Sequence, residues 1–158
     1  MRSAMFASFA VAAAVTFGAQ AYAQGPMMYG PEVSLDTAKR AAAAAAAEAK
    51  KNNWPLAISV VGPSGHLVYF ERMENTQFAS IRISEHKARV AATYRRPTKV
   101  FADVIKANPA LLSLDDVIAS PGGIPIVQGG KIVGAIGCSG ATGDQDHQAC
   151  QAGADAVK

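Results

Sequence analysis

Residues 122–146 read Gly-Gly-Ile-Pro-Ile-Val-Gln-Gly-Gly-Lys-Ile-Val-Gly-Ala-Ile-Gly-Cys-Ser-Gly-Ala-Thr-Gly-Asp-Gln-Asp. Two apolar runs, Ile124 to Val127 and Ile132 to Ile136, flank Gln128-Gly129-Gly130-Lys131, and a Gly-Gly pair readily takes the positive φ values of a tight hairpin turn. The stretch therefore predicts an antiparallel β-hairpin. Glycines follow at 134, 137, 140 and 143, where the second strand leaves the sheet, so another backbone or a flat ligand can approach closely. Thr142 with Gln145 three positions on has capping-box spacing, which starts a helix near Gly143 or Asp144 with its free N–H groups turned toward the glycine loop. This corner, centred on Gly140 and Gly143, can hold a carboxylate or another anion. The same glycines would equally serve only to relieve crowding between strand and helix. The corner is neither a dinucleotide fingerprint nor a phosphate loop: a hairpin precedes it, no G-x-G is present, and no Gly-Lys-Ser or Gly-Lys-Thr occurs.

Upstream of the hairpin, Ser34 opens a helix with Asp36 in its first turn, an alanine run over 41–47 and Lys50-Lys51-Asn52-Asn53 at its end. Alanine is the best helix former, and the charges complement the dipole at both ends. A second hairpin follows, Leu56 to Val61 and His66 to Met73, joined by Gly62-Pro63-Ser64-Gly65. Residues 77–95 read as a helix in which Glu85 and Arg89 stand four apart, stopping at Pro97. Val100 to Ala107 form a shorter helical piece, and Leu114 to Ser120 lead into the C-terminal hairpin. Hairpin-linked strands with few helices predict an α+β domain on a roughly five-stranded antiparallel sheet, not a doubly wound parallel one.

The chain starts Met1-Arg2, continues through an apolar run from Ala4 to Ala19 and reaches Ala21-Tyr22-Ala23. A basic start, a short apolar core and an A-x-A site predict a signal peptide over residues 1–23, cleaved after Ala23, and hence export to the periplasm or the exterior. The run is too short for a membrane span, which needs about 20 apolar residues. Residues 24–33, with two prolines, two glycines and no periodicity, read as a flexible arm, leaving 34–158 as one domain. A formal charge of +3 is too small and too scattered for nucleic-acid binding. In an oxidising compartment Cys138 and Cys150 are candidates for a disulfide, because a helix folding back over the hairpin could bring them together. The alternative is two separately buried small side chains. No C-x-x-C or Cys/His cluster has metal-ligand spacing.

Three histidines are present. His66 reads as a solvent-facing strand residue. His86 lies mid-helix among Glu85, Lys87 and Arg89, on an exposed polar face or on the sheet edge that the preceding strand reaches. His147 sits beside Asp144 and Asp146 in the first turn of the last helix, where a neutral imidazole can meet a metal or haem iron, or simply face solvent. The acidic pair itself is explained by helix capping. Arg95, Arg96 and Lys99 are a solvated face or a steering patch for an anionic ligand. No serine has nucleophile-elbow surroundings.

Four ordered segments carry a resemblance: Ala79-Ser-Ile-Arg-Ile-Ser-Glu-His-Lys-Ala-Arg, Arg95-Arg-Pro-Thr-Lys, Gly122-Gly-Ile-Pro-Ile-Val, and Gly134-Ala-Ile-Gly-Cys-Ser-Gly with Asp144-Gln-Asp. Together they resemble the GlcG/HbpS haem-binding family, the DUF336 domain, over roughly 34–158. The resemblance implies a profilin-like α/β/α sandwich, homo-oligomeric assembly, and haem as cofactor. The family does not assign the iron ligand; His86, within its most specific segment, is the first candidate and His147, beside the glycine corner, the second, with Arg95, Arg96, Lys99 or the corner at Gly140 and Gly143 meeting the propionates. Val90 stands where many relatives carry threonine, and Cys138 and Cys150 replace small apolar residues, which adds weight to a disulfide. An exported haem or tetrapyrrole binder, in haem handling or redox sensing, is the leading reading. An enzyme or binder acting on a small organic acid or aromatic compound at the glycine corner is the second, and an assembly protein the third.

Overall fold

The computed structural model describes residues 27–158; the signal-peptide reading over residues 1–23 lies outside the described residues. The elements are α1 (Leu35–Lys51), β1 (Ala57–Val61), β2 (Leu67–Arg72), α2 (Ala79–Thr93), α3 (Thr98–Ala107), a 3-10 turn (Pro109–Ser113), β3 (Gly123–Gln128), β4 (Lys131–Ser139) and α4 (Gly143–Asp155). The strands form one antiparallel sheet in the order β2-β1-β4-β3. The hairpins β1–β2 and β3–β4 are joined by β1 against β4, with Ala57 opposite Ser139 and Val61 opposite Ala135.

The sheet has four strands, not the roughly five expected. The stretch before β3 does not extend: Pro109–Ser113 coil into the 3-10 turn, and Asp116 turns through a left-handed conformation at φ 60° to present its carboxylate to α2. The expectation of a flexible arm is likewise corrected over its described part. Gly30 donates to the Ile132 carbonyl at 2.8 Å, Ile132 to Met28 at 2.9 Å and Val33 to Val133 at 2.7 Å. Tyr29 thus pairs in parallel with Ile132, on the length of β4 left free beyond the end of β1. Val33 is buried, so an unpaired strand edge and an apolar slot outweigh the Pro/Gly composition that reads as mobile.

Alternation along the strands sorts side chains into two unlike faces. One carries Ile58, Val60, Ile124, Ile126, Ile136 and Cys138 against α1 and α4, whose own contact faces are alanines 38, 41, 42, 45, 49, 149 and 154. Gly153 lets the two helices cross closely: a Cβ there would stand 2.6 Å from the Ala41 carbonyl oxygen. The opposite face is built of small groups. Ser59, Ala135, Gly137 and Ser139 meet a stripe of α2 with helical spacing, Ser80, Ser84, Ala88 and Ala91. The Ser59 and Ser84 hydroxyls hydrogen-bond at 2.8 Å, and those of Ser139 and Ser80 at 3.2 Å. Helices therefore cover both faces of the sheet.

Gly137 tests how close α2 lies. A Cβ at this position would overlap the Ser84 carbonyl oxygen and stand 2.6 Å from the Ala88 nitrogen, and backbone atoms cannot swing aside. Gly137→Ala should therefore lower stability by about 3 kcal/mol, the upper end for overpacking a core, measured by urea unfolding. A loss below about 0.5 kcal/mol would contradict this packing, since that is the range of surface substitutions.

Candidate functional site

The most unusual chemistry in the domain is a buried ion pair between the two helix layers. Lys87 points inward from α2, on the same side as Ser80, Ser84 and Ala91, and is 1% exposed. Its Nζ donates to Asp146 Oδ2 at 2.7 Å and to the Cys138 carbonyl at 3.1 Å. Asp146 comes from the first turn of α4 and accepts the Ala141 N–H at Oδ1, 3.0 Å away. The lysine reaches it past Gly122, where a Cβ would stand 3.1 Å from Nζ and 2.9 Å from the Asp146 Cβ. Burial pulls Lys87 down and pushes Asp146 up, while each partner's charge and hydrogen bond counters the other's shift. Amide donation from Ala141 and Gly140 further supports the carboxylate. With the pair's donors and acceptors matched in this way, we take it as ionised.

This arrangement answers the question of the glycine corner. The anion at the start of α4 is the protein's own Asp146 carboxylate. The capping box satisfies two more donors: the Gln145 N–H donates to Thr142 Oγ1 at 3.4 Å, and the Thr142 N–H to Gln145 Oε1 at 3.1 Å. Gly140 and Gly143 are explained by packing. A Cβ on Gly140, which has φ 149°, would strike the Pro55 carbonyl oxygen, and one on Gly143 would stand 2.8 Å from the Pro121 ring. Packing thus accounts for both glycines, which the sequence offered as a seat for an external anion or a propionate, and the Ala141 N–H at this corner is taken by Asp146.

Cys138 and Cys150 are disulfide-bonded, with Cα atoms 5.7 Å apart and both residues fully buried. Cys150 follows Asp146 by four residues, so bridge and ion pair fasten successive turns of α4 to β4 and α2.

The other expected residues do not converge. His86 Nε2 lies 2.9 Å from Asp116 Oδ1 and 3.0 Å from its carbonyl, and Arg89 grips the same carboxylate at 2.6 and 2.8 Å. Arg89, the largest influence, holds the Asp116 carboxyl below its ordinary value. Arg89 thus serves the loop before β3 instead of pairing with Glu85 along the helix. Nε2 of His86, the first of the expected iron ligands, is therefore held by Asp116. Arg95 donates to the Met27 carbonyl and stacks over Tyr29, Arg96 donates to the Tyr94 carbonyl and lies over Phe101, and Lys99 sits 3.8 Å from Asp144. These three cations face three different neighbours and form no common patch. His66 is exposed, with Nδ1 2.9 Å from the Ser64 hydroxyl.

His147 is half-buried at the base of α4, and its Nδ1 is buried without a hydrogen-bond partner. Burial, helped by the charge of Lys99, holds its pKa below 6.5. A ligating histidine normally donates its second N–H to an acceptor, and Nδ1 has none here.

Among the described residues, no group of three or more His, Cys, Asp and Glu is placed to hold a metal ion, and no helix is long and apolar enough to cross a membrane. Among the hollows on the surface of the described residues, three stand out. A groove of about 260 Å³ runs between α3 and the 3-10 turn, lined by Tyr94, Phe101, Val104, Leu111 and Leu114 with Arg96. One of about 330 Å³ holds His66, Glu85 and Arg89. The largest, about 600 Å³, lies between the α1–β1 and β2–α2 connections and includes Lys50, Trp54, Pro55 and Met73.

A four-stranded antiparallel sheet with helices on both faces and no nucleotide-binding loop defines a small α+β domain built around a cross-layer ion pair. A family model described as "Haem degrading protein HbpS-like" matches residues 33–155, and the chain belongs to that family. Protein GlcG of Escherichia coli K12 is 38% identical over 108 residues, covering 68% of this chain and 81% of the relative. The crystal structure of HbpS superposes with a TM-score of 0.76 at 29% identity, covering 83% of this chain and 94% of that one. A crystal structure described as a PduOC:heme complex shares the fold, with a TM-score of 0.73 at 22% identity over 80% and 96% of the two chains.

Two predictions follow from the buried groups. Lys87→Met leaves Asp146 buried without its cation, and should cost about 3–5 kcal/mol by chemical denaturation, as should Asp146→Leu, which strands the lysine. A cost under about 1 kcal/mol for either would place the pair in solvent, where ion pairs contribute that little. For His147 the folded pKa lies below the unfolded value of 6.5. The unfolded chain then binds more protons as pH falls through 6.5, so stability is present above that pH and declines below it. Denaturation midpoints should fall between pH 7.5 and pH 5.5, and His147→Gln should flatten part of that decline. An identical slope in the variant would contradict burial of the ring.

Proposed function

We propose that this chain is an exported haem- or tetrapyrrole-binding protein. The observation that carries the reading is the family match across nearly the whole described domain, supported by a relative of the same fold crystallised with haem. Export is supported by the leader-like start of the sequence and by the fully buried Cys138–Cys150 bridge, a bond that persists in oxidising compartments. Assembly into a homo-oligomer belongs to the same reading, and Val100, Val104, Leu112 and Leu114 present apolar surface on α3 and the adjoining turn.

The residues fit the group in part. An apolar macrocycle with acidic arms needs a hollow of ligand size, a flat apolar wall and a cation at the rim, and the cleft that holds Trp54 and Lys50 supplies them. The histidines fit less well as resident iron ligands. His86 would have to leave Asp116, His147 lacks an acceptor behind its ring, and neither lines any of the three hollows. The competing reading, an enzyme or binder for a small organic acid or aromatic compound at the glycine corner, has less support, because Asp146 takes the Ala141 N–H there.

Titrating the purified protein with hemin should produce a saturable Soret band, because ring burial changes the absorption of the bound dye. His86→Ala and His147→Ala should each keep the affinity within about twofold, a difference of less than 0.5 kcal/mol. No Soret change in the parent protein would end the haem reading. Loss of the band in one histidine variant would instead make that residue the ligand.

A further inference from the structure

Resting on the tetrapyrrole reading, we infer that the flat ring lies in the cleft between the α1–β1 and β2–α2 connections, stacked against Trp54, with an acidic arm on Lys50. Volume is the first ground. Pockets that bury a drug-sized ligand span about 300–1,000 Å³, and the cleft, at about 600 Å³, falls within that range. The α3 groove, at about 260 Å³, lies below it, and the His66 hollow, at about 330 Å³, lies at its lower edge.

The lining is the second ground. Trp54 is the single tryptophan of the chain and lies half-buried in the cleft beside Pro55 and Met73. Trp54 and Met73 also pack against the main core, which holds them as a floor. Their backbones are fixed: Trp54 N–H donates to the Ala49 carbonyl at 2.9 Å and Met73 N–H to Leu56 at 2.9 Å. The Met73 carbonyl in turn accepts the Thr76 hydroxyl at 2.8 Å. Both lips turn on an asparagine in the left-handed region, Asn53 at φ 58° and Asn75 at φ 63°, a residue type that tolerates this conformation. The cleft is therefore preformed, and a rigid indole offers a stacking surface at little ordering cost.

Charge is the third ground. Lys50 ends α1 exposed and makes no ion pair among the described residues, whereas Arg89 is already neutralised by Asp116. Glu74 stands among the same lining residues, so an acidic arm is drawn to the Lys50 side and repelled from Glu74. No histidine lines the cleft, so ring stacking and charge, not iron ligation by imidazole, hold the ligand. The corner at Gly140 belongs to this site indirectly, because its missing side chain leaves room for the Pro55 carbonyl beneath the floor.

The test compares hemin and metal-free protoporphyrin IX on the full chain and on three variants, with folding checked by circular dichroism. Lys50→Glu and Trp54→Leu should each raise the dissociation constant of both compounds about tenfold, and Arg96→Glu should leave it unchanged. Metal-free ring should bind the parent within about tenfold of hemin, since the iron contributes little. If Trp54→Leu does not fold, Lys50→Glu decides, because that side chain is exposed. Parent-like binding by folded Lys50→Glu, or weakening by Arg96→Glu alone, overturns the cleft and leaves the haem reading standing. Binding of hemin without binding of the metal-free ring overturns it as well. Failure of the parent to bind either compound removes the haem reading and, with it, this site.

Discussion

The contact between Lys87 and Asp146 joins layers that the sheet otherwise keeps apart. α2 lies on the small-residue face and α4 on the apolar face, and the lysine crosses at the start of β3 and the end of β4, where Gly122 leaves a passage. Transferring two charges from water costs several kcal/mol per ion, and close geometry with added hydrogen bonds offsets it. Here the Cys138 carbonyl and the Ala141 amide supply those bonds. Because removing either partner strands the other, the pair fixes how α4 docks more than it adds net stability. The disulfide one turn on holds α4 in the same place, so covalent and ionic fastenings reinforce a single docking.

Much of this was legible in the sequence, and what was missed has a common cause. The β3–β4 hairpin, its Gly129-Gly130 turn and the Thr142–Gln145 box depend on neighbours a few residues apart, which composition reports directly. The partners of Lys87, Asp116 and the segment around Tyr29 lie far along the chain, and no local period encodes them. Asp146 read as a capping acid because its position satisfies the dipole whether or not a lysine arrives. One signal was available. Ser80, Ser84, Lys87 and Ala91 share a helical spacing, and a lysine on an otherwise small-residue stripe marks a buried charge that needs a partner. The absent fifth strand and the ordered arm both follow from distant partners: Asp116 turns back to Arg89 on α2, and residues 28–33 pair with the free edge of β4 although their prolines and glycines read as loop.

The same division of labour separates stability from binding. Glycines 122, 137, 140 and 153 each admit a backbone or side chain from another layer, which makes the core tight and leaves it no room for a flat ligand. The hollows described among residues 27–158 lie at the surface, where connections between elements meet. The cleft around Trp54 is such a place, with a floor anchored in the core and lips set by turns. His86 and Arg89 meanwhile serve to hold the Asp116 loop, so residues that look chemical in the sequence act as structural ties.

A double-mutant cycle on Lys87→Met and Asp146→Leu measures the central interaction most directly. If the two residues act as one unit, the double variant should be more stable than the sum of single losses predicts, by about 2–3 kcal/mol, because no buried charge is left alone. Losses that add within about 0.5 kcal/mol would show that the residues do not communicate, and would contradict the account of how α4 is held.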